Sequence, residues 1–342
     1  MRRGILFAVL LAIYCSTANV ILRYATDVES PNQKRTELIE HDVRQLSSLG
    51  SHLHRRAGRA KCSAPHRGPG IVERGLEVSF DNSTIQRRMN LPSFDNIDDY
   101  IVAETGEAEA VVWGQRDGNS DENEFDTNTS IFDQFKFFQE NQMSQGTSHL
   151  MGCTMLVIVS RRGVWMGHFW ENISFDTDHD HHFWDKYKGD QDKIFTETVI
   201  KGMRNGKGRG RNKQQDSLRL NADKFKDNHV KAYLIHPETN ADESGDYREY
   251  WDKMKEEACI YLPKLREPTR WEEHSYEPTD DNDILDETPR GRLLFKYDAK
   301  HLRIGPSADP AGTPFQEHRV MLWSETKELH EDGWTAGTIE KS

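Results

Sequence analysis

Residues 154–170 are Thr154-Met-Leu-Val-Ile-Val159, Ser160-Arg-Arg-Gly163 and Val164-Trp-Met-Gly-His-Phe-Trp170. The first six form an uninterrupted apolar run rich in β-branched side chains, which is typical of a buried strand. The next four are a turn candidate, and the last seven predict a second strand. We therefore expect a β-hairpin with a loop of two or four residues at the centre of the fold.

Cys153 directly precedes this hairpin. His168 lies in its second strand, fifteen residues after Cys153. A loop of two or four residues places residue 153 opposite residue 168 or 170, which share a face of the sheet. The two side chains are then on the same side, with Cβ atoms roughly 4.5–8 Å apart. A three-residue loop with a bulge would break this parity. An imidazole beside a thiol favours the thiolate–imidazolium pair, so the spacing predicts the minimum apparatus of cysteine nucleophilic catalysis.

Neighbouring residues supply the other groups that acyl transfer needs. The backbone at Gly152, Cys153 and Thr154 is the candidate support for an oxyanion, because the Cys153 N–H can donate and glycine permits close approach of a substrate. The hydroxyl of Thr147 or Ser148 is the candidate that orients the imidazole. The alternative is that Cys153 is an inert buried residue of the strand, since free cysteine is among the most buried residue types.

The N-terminus has the features of a secretory signal. Arg2 and Arg3 precede an apolar run of about twelve residues, and Ser16-Thr-Ala18 suits cleavage after Ala18. The run is shorter than the ~20 residues that span a bilayer. We expect a signal peptide at 1–18, a poorly ordered propeptide or linker at 19–90 with dibasic pairs, and a globular domain at 91–335. The protein is then secreted and has no transmembrane segment.

Cysteine usage bears on the same site. After signal removal three cysteines remain, and an odd number in an oxidising compartment implies a free thiol or an intermolecular bridge. If Cys62 pairs with Cys259, the thiol left over is Cys153. Three sequons agree weakly with secretion as potential glycan acceptors, at Asn82, Asn128 and Asn172.

Charge restricts the partners. The net charge of −12 argues against nucleic acid. The stretch 201–213 nevertheless carries six basic residues and no acid, so we expect a solvated, flexible loop, with docking of an acidic partner or of membrane headgroups as the alternative. The segment Asp176-Thr-Asp-His-Asp-His-His182 holds metal-ligand residue types, but no distant ligands match it, so a polar loop is expected and no metal or cofactor is predicted.

The remaining pattern predicts an α+β fold with a mixed or antiparallel sheet or sandwich core, flanked by about three helices. Besides the hairpin, the expected strands are 108–113, 229–236, 291–297 and 318–323. The expected helices are 130–143, 192–203 and 247–262.

The motif Thr147-x5-Cys153, the step Gly152-Cys153-Thr154 and the histidine fifteen residues downstream resemble the glutamine deamidase superfamily. This group includes the catalytic domains of cytotoxic necrotizing factors and the CheD-like chemoreceptor deamidases. The resemblance covers about 22 of 342 residues. It implies Cys153 as nucleophile, His168 as acid/base partner and Thr147 as orienting group. It also implies a protein substrate that presents a glutamine side chain, with hydrolysis of the carboxamide or transamidation when an amine replaces water.

We therefore expect a secreted cysteine amidohydrolase of the deamidase type. Two alternatives stay open on the sequence. One is a secreted effector or binding module without catalysis, in which Cys153 is structural. The other is a cysteine peptidase that uses the same pair of residues.

Overall fold

A computed structural model describes residues 89, 91–92, 96–110, 127–135, 142–208, 214–238, 247–304 and 314–335. The predicted signal peptide, Cys62, Asn82 and nearly all of the segment 19–90 lie outside these residues. The described part is an α+β fold with a sheet core, as predicted. None of the helices in these ranges is both long enough and apolar enough to cross a membrane.

Ten strands form two five-stranded sheets. Sheet A has the order β1-β3-β8-β9-β10, and sheet B has the order β2-β5-β4-β6-β7. Most neighbours are antiparallel, and β1–β3 and β6–β7 are parallel. The strands are β1 Glu109–Ala110, β2 Thr129–Gln134, β3 Gln142–Thr147, β4 Thr154–Val159, β5 Gly163–Phe169, β6 Lys231–Pro237, β7 Trp271–Tyr276, β8 Leu293–Ile304, β9 Pro314–Ser324 and β10 Lys327–Trp334.

The helices are more numerous than the three predicted. They are α1 Ile97–Glu107, α2 His182–Tyr187, α3 Gln191–Phe195, α4 Lys201–Asn205, α5 Leu218–Asn221, α6 Arg248–Tyr261 and α7 Asn282–Glu287. A π-helical turn, Thr196–Ile200, joins α3 to α4, so the helix predicted at 192–203 exists but is widened in its middle. A second π-helical turn, Glu171–Phe175, follows β5.

The sheets pack face to face, and helices cover their outer faces. The inner core joins Met155 and Val157 of sheet B to Phe295 of sheet A. The outer face of sheet B packs against α3, the π turn, α4 and α6, and the outer face of sheet A packs against α1. Each strand of the β4–β5 hairpin is buried along its whole length, because both faces of sheet B are covered.

The central hairpin is confirmed in its register. Val159 pairs with Val164, and the Ser160 N–H donates to the Gly163 carbonyl at 3.0 Å. The loop is therefore the two-residue type. This register puts position 153 opposite 170, with His168 opposite Met155 on the same face.

The helix predicted at 130–143 is wrong. Thr129–Gln134 is strand β2, paired with β5, and Gln142–Thr147 is strand β3, paired with β8. The aromatic spacing that indicated a helix is also compatible with an edge strand. Pairing with β5 satisfies the backbone of β2, and this long-range contact overrides the local pattern.

Other predictions were incomplete. β1 covers Glu109–Ala110 of the strand expected at 108–113, and residues 111–113 lie outside the described residues. β7 and β10 were not predicted. The basic stretch 201–213 was expected to be a loop throughout. Instead Lys201–Asn205 is helical and Lys207 pairs with Gln215, while 209–213 lie outside the described residues.

A glycine pair tests the packing of sheet B. A Cβ at Gly167 would lie 2.6 Å from the Trp165 ring and 2.8 Å from the Phe169 ring, whereas a Cβ at Gly106 on α1 would meet nothing within 4 Å. Gly167→Ala is expected to lower the free energy of unfolding by about 1–3 kcal/mol through overpacking. Gly106→Ala is expected to raise it by about 0.5–1 kcal/mol through helix propensity. Urea unfolding checks both, and equal effects would contradict the tight packing at Gly167.

Candidate functional site

Three strands bring the predicted site residues to one place. Thr147 ends β3 in sheet A, whereas His168 lies on β5 and Cys153 immediately precedes β4 in sheet B. The Thr147 Oγ1 lies 3.4 Å from the His168 Nδ1, across the space between the sheets. The expected proximity of Thr147 and His168 is therefore confirmed, as is the shared face of Cys153 and His168.

The oxidation state of Cys153 is not the expected one. Its sulfur is in a disulfide, and Cys259 is a free thiol. The predicted Cys62–Cys259 pair is therefore wrong, and Cys153 is not the thiol left over. Cys153 and Cys259 are the only cysteines in the described ranges. A disulfide sulfur is not a nucleophile, so Cys153 in this state cannot attack a substrate.

His168 is buried and neutral. Its ring has 0% exposure, and burial lowers its pKa from 6.5 to about 3. It stacks on Trp170 with ring centroids 4.0 Å apart. Its Nε2 is buried and has no hydrogen-bond partner among the described residues. Burying a polar nitrogen without a partner costs about 1–3 kcal/mol, so this arrangement is not optimal for stability.

The residues predicted as backbone support, Gly152 and Thr154, flank Cys153 at the start of β4. Gly152 is buried, but its φ is not positive, so no left-handed backbone requires glycine there. The Thr154 side chain points away from the site, because its Oγ1 accepts a hydrogen bond from the Trp251 Nε1 at 3.0 Å on the outer face of sheet B. The Cys153 carbonyl accepts from the Tyr276 hydroxyl at 2.7 Å, which fixes the entry to β4.

Hydrogen bonds of His149 and Leu150 fix the segment between Thr147 and Cys153. His149 has a left-handed backbone with φ of 59°, its Nδ1 lies 3.0 Å from the Ser148 Oγ, and its Nε2 lies 3.0 Å from Asp286. The Leu150 N–H donates to the Gly291 carbonyl at 3.0 Å. A non-glycine residue with positive φ is costly, and these contacts offset that cost.

Asn128, predicted as a glycan acceptor, is instead buried, and its amide is hydrogen-bonded inside the fold. Its Nδ2 donates to the Ser174 Oγ at 2.8 Å and the Thr198 carbonyl at 3.1 Å, and its Oδ1 accepts from the Trp170 N–H at 2.9 Å. A glycan on this nitrogen is incompatible with the fold. The Nδ2 of Asn172 also donates, to Asp178 at 3.1 Å. Sequence reasoning missed the role of Asn128 because nothing in its sequon distinguishes an exposed asparagine from a buried one.

The acidic and histidine-rich segment 176–182 acts as a helix cap. The His181 Nδ1 accepts from the Phe183 N–H at 3.3 Å, and the His179 ring stacks on Trp184. No group of three or more metal-ligand side chains within the described ranges could hold an ion.

The His168 imidazole and the Thr147 hydroxyl lie close together between the sheets, and Cys153 belongs to the same inner core. All three residues are buried. No protein-family model matches the chain, and no curated protein matches it at a significant level of similarity.

Proposed function

We propose that this protein is a secreted cysteine amidohydrolase of the protein-glutamine deamidase type, kept latent by the disulfide at Cys153. The observation that carries the proposal is the contact between Thr147 and His168 on the face of sheet B to which the register also assigns Cys153, together with the unpartnered, buried Nε2 of His168. If His168 only filled space in the core, an apolar ring would do so without the free-energy cost of a buried, unpartnered nitrogen. Structures that retain such costs tend to do so at functional sites.

The disulfide makes activity depend on reduction, because only the reduced Cys153 is a nucleophile. A dithiol reductant transfers two electrons and two protons to the cystine, which leaves Cys153 and its partner cysteine as thiols and the reductant as its own disulfide. Secretion keeps the bond intact, since extracellular compartments are oxidising. Activity is then confined to a reducing compartment, such as the cytosol of a target cell.

The reduced site has a defined sequence of steps. The Cys153 thiolate attacks the carboxamide carbon of a glutamine side chain, and ammonia leaves with a proton from the His168 imidazolium. Water then hydrolyses the thioester and leaves glutamate, while an amine in place of water gives a transamidated product. The pKa of His168 is low in the oxidised form because burial acts alone. A neighbouring thiolate favours the imidazolium and raises that pKa.

A second candidate is favoured by the oxidation and burial of Cys153. In this reading the protein is a secreted binding module, and the disulfide of Cys153 is a structural bond at the start of β4. His168 is then a neutral core residue. The two functions differ in what happens after reduction.

Selective alkylation separates them. The protein is reduced with a dithiol under native conditions and treated with iodoacetamide at pH 6, and the modified cysteines are identified by mass spectrometry. Cys259 is the internal control, since burial raises its pKa. We expect Cys153 to react at least about tenfold faster than Cys259, and His168→Gln to remove most of that advantage because the thiolate loses its counter-ion.

Product analysis tests the chemistry directly. Reduced protein is incubated with a glutamine-containing peptide, and ammonia release, conversion of glutamine to glutamate and backbone cleavage are measured. The expected result is ammonia release that requires the reductant and is absent in Cys153→Ser and His168→Gln. Backbone cleavage would instead identify a peptidase. Alkylation of Cys153 at the rate of Cys259, with no effect of His168→Gln, would rule out an activated thiol and leave the binding module.

A further inference from the structure

A second group of side chains with catalytic chemistry lies on the segment that joins β3 to β4. The Ser148 Oγ lies 3.0 Å from the His149 Nδ1, and the His149 Nε2 lies 3.0 Å from the Asp286 Oδ1. A hydroxyl, an imidazole and a carboxylate are therefore joined in series by two contacts of hydrogen-bond length. A nucleophile whose base is oriented by a third group is recognised by this geometry and not by its position in the sequence.

The carboxylate decides which nitrogen of His149 carries the hydrogen of the neutral ring. An ionised carboxylate can only accept, so the Nε2–H donates to Asp286. The Nδ1 is then the acceptor, and the Ser148 hydroxyl donates to it. General-base catalysis requires this tautomer, because Nδ1 can take the proton of the hydroxyl while Asp286 stabilises the imidazolium that forms.

The connection between α7 and β8 holds His149 in a costly backbone conformation. The His149 φ of 59° is in the left-handed region, which is uncommon for a residue other than glycine. The Leu150 N–H donates to the Gly291 carbonyl, and a Cβ at Gly291 would lie 3.0 Å from both the backbone nitrogen and the carbonyl oxygen of Leu150. Glycine at 291 therefore allows the two chain segments to approach. Backbone strain that a fold retains in this way is concentrated at active sites and ligand-binding sites.

A buried arginine fixes the end of α7 that carries Asp286. The Arg292 Nη2 donates to the carbonyls of Leu285 and Asp286 at 2.9 and 2.8 Å, and the Arg292 Nε donates to the Thr288 carbonyl at 2.8 Å. Arg292 has 6% exposure. These bonds satisfy carbonyls that have no partner within the last turn of a helix. The backbone of Asp286 is therefore anchored to the core, which places its carboxylate beside His149.

This group of side chains is open to solvent, whereas the cysteine site between the sheets is buried. The His149 side chain is 39% exposed, the Asp286 side chain is 66% exposed, and Ser148 is partly buried. A substrate can therefore reach the hydroxyl, but water weakens the electrostatic stabilisation of a developing charge. The Leu150 N–H is already engaged and does not serve as an oxyanion donor. Such a site favours esters with good leaving groups over amides, because their acyl transfer requires less stabilisation.

We propose that Ser148, His149 and Asp286 form a serine esterase site for activated carboxylic esters. The Ser148 Oγ attacks the ester carbon while its proton moves to the His149 Nδ1. The bond to the alcohol oxygen then breaks, and the alcohol leaves with that proton. Water attacks the acyl-serine and gives a proton to the Nδ1, which returns it to the Ser148 Oγ as the carboxylic acid leaves. These steps need no reduction of Cys153, so the inference goes beyond the deamidase function and is independent of it.

An alkyl phosphonofluoridate tests the nucleophile in the full oxidised protein at pH 8. Cys259 is first alkylated with iodoacetamide, because a free thiol also attacks activated esters, and without reductant Cys153 stays in its disulfide. The probe forms a bond between phosphorus and a serine oxygen and releases fluoride, and mass spectrometry locates the adduct. We expect an adduct at Ser148, and hydrolysis of 4-nitrophenyl acetate that falls to the uncatalysed rate in Ser148→Ala. Labelling of other residues alone, or no labelling, overturns the proposal.

Variants of the base and of the carboxylate separate an activated serine from a merely exposed one. His149→Asn keeps a residue that tolerates the left-handed backbone but removes the base, so labelling of Ser148 is expected to slow by about a hundredfold. Asp286→Asn should slow it by about tenfold, because an amide does not stabilise the imidazolium. The matched control is Asp283→Asn, which makes the same charge change at an exposed position of the same helix and is expected to label within about twofold of the parent. Equal labelling rates for both aspartate variants, or no effect of His149→Asn, would overturn the site.

Discussion

Cys153→Ala is expected to lower the free energy of unfolding by about 2–5 kcal/mol, the usual range for loss of a native disulfide. The main cause is that the reduced chain gains conformational freedom in the unfolded state. Cys153 is also fully buried, so the truncation removes packing at the start of β4. Denaturant unfolding followed by tryptophan fluorescence measures the difference.

Reductant and Cys259 supply the controls for this result. A dithiol should reduce the stability of the parent towards that of Cys153→Ala and leave the variant unchanged. Cys259→Ala removes a thiol that forms no disulfide, so it is expected to cost less than about 1 kcal/mol. A parent whose stability does not respond to reductant would contradict the disulfide, and with it the proposed latency.

Lowering the pH from 8 to 4.5 is expected to shift the difference in unfolding free energy between His168→Phe and the parent by about 2–3 kcal/mol in favour of the variant. The pKa of His168 is about 3 in the folded protein and about 6.5 in the unfolded chain. Above pH 6.5 the ring is neutral in both states and contributes no pH dependence. Between pH 6.5 and 3 only the unfolded state binds the proton, so the parent loses about 1.4 kcal/mol per pH unit at this residue. Phenylalanine removes that loss.

Other buried histidines do not contribute to the stability difference between the parent and His168→Phe. Burial lowers the pKa of His330 to about 4, and it lowers the pKa of His318 as well, so the parent is acid-sensitive at several residues. These groups are present in parent and variant alike and cancel in the difference. His168→Gln, which keeps a polar side chain but cannot be protonated, is expected to show the same pH dependence as His168→Phe. Parallel pH profiles for parent and both variants would mean that His168 is hydrated in solution.

The same variants address the proposed function. At pH 8 His168→Phe also removes the unpartnered Nε2, so it is expected to be at least as stable as the parent. If it is both more stable and unable to activate Cys153 after reduction, the histidine is retained for chemistry at a cost in stability.

Local sequence was sufficient for the elements that form independently of distant partners. The β-branched run of β4 and the turn candidate Ser160-Arg-Arg-Gly163 specify the hairpin and its register, because a short loop fixes strand pairing. The same parity placed Cys153 and His168 on one face. The long amphipathic helix α6 was also predicted within two residues, because its apolar stripe includes the buried Met254 and Ala258. The α+β class with a sheet core followed from these elements.

Only the tertiary structure decided the rest. β2 has an aromatic spacing that favours a helix, and it becomes a strand because the edge of β5 satisfies its backbone. Burial of Asn128 just before β2 and the neutral state of His168 both depend on residues far apart in sequence. The oxidation of Cys153 depends on which cysteines come into contact, and spacing does not determine this. Hydrophobic period and turn chemistry act between neighbours, whereas desolvation and disulfide pairing arise only when distant segments are packed together.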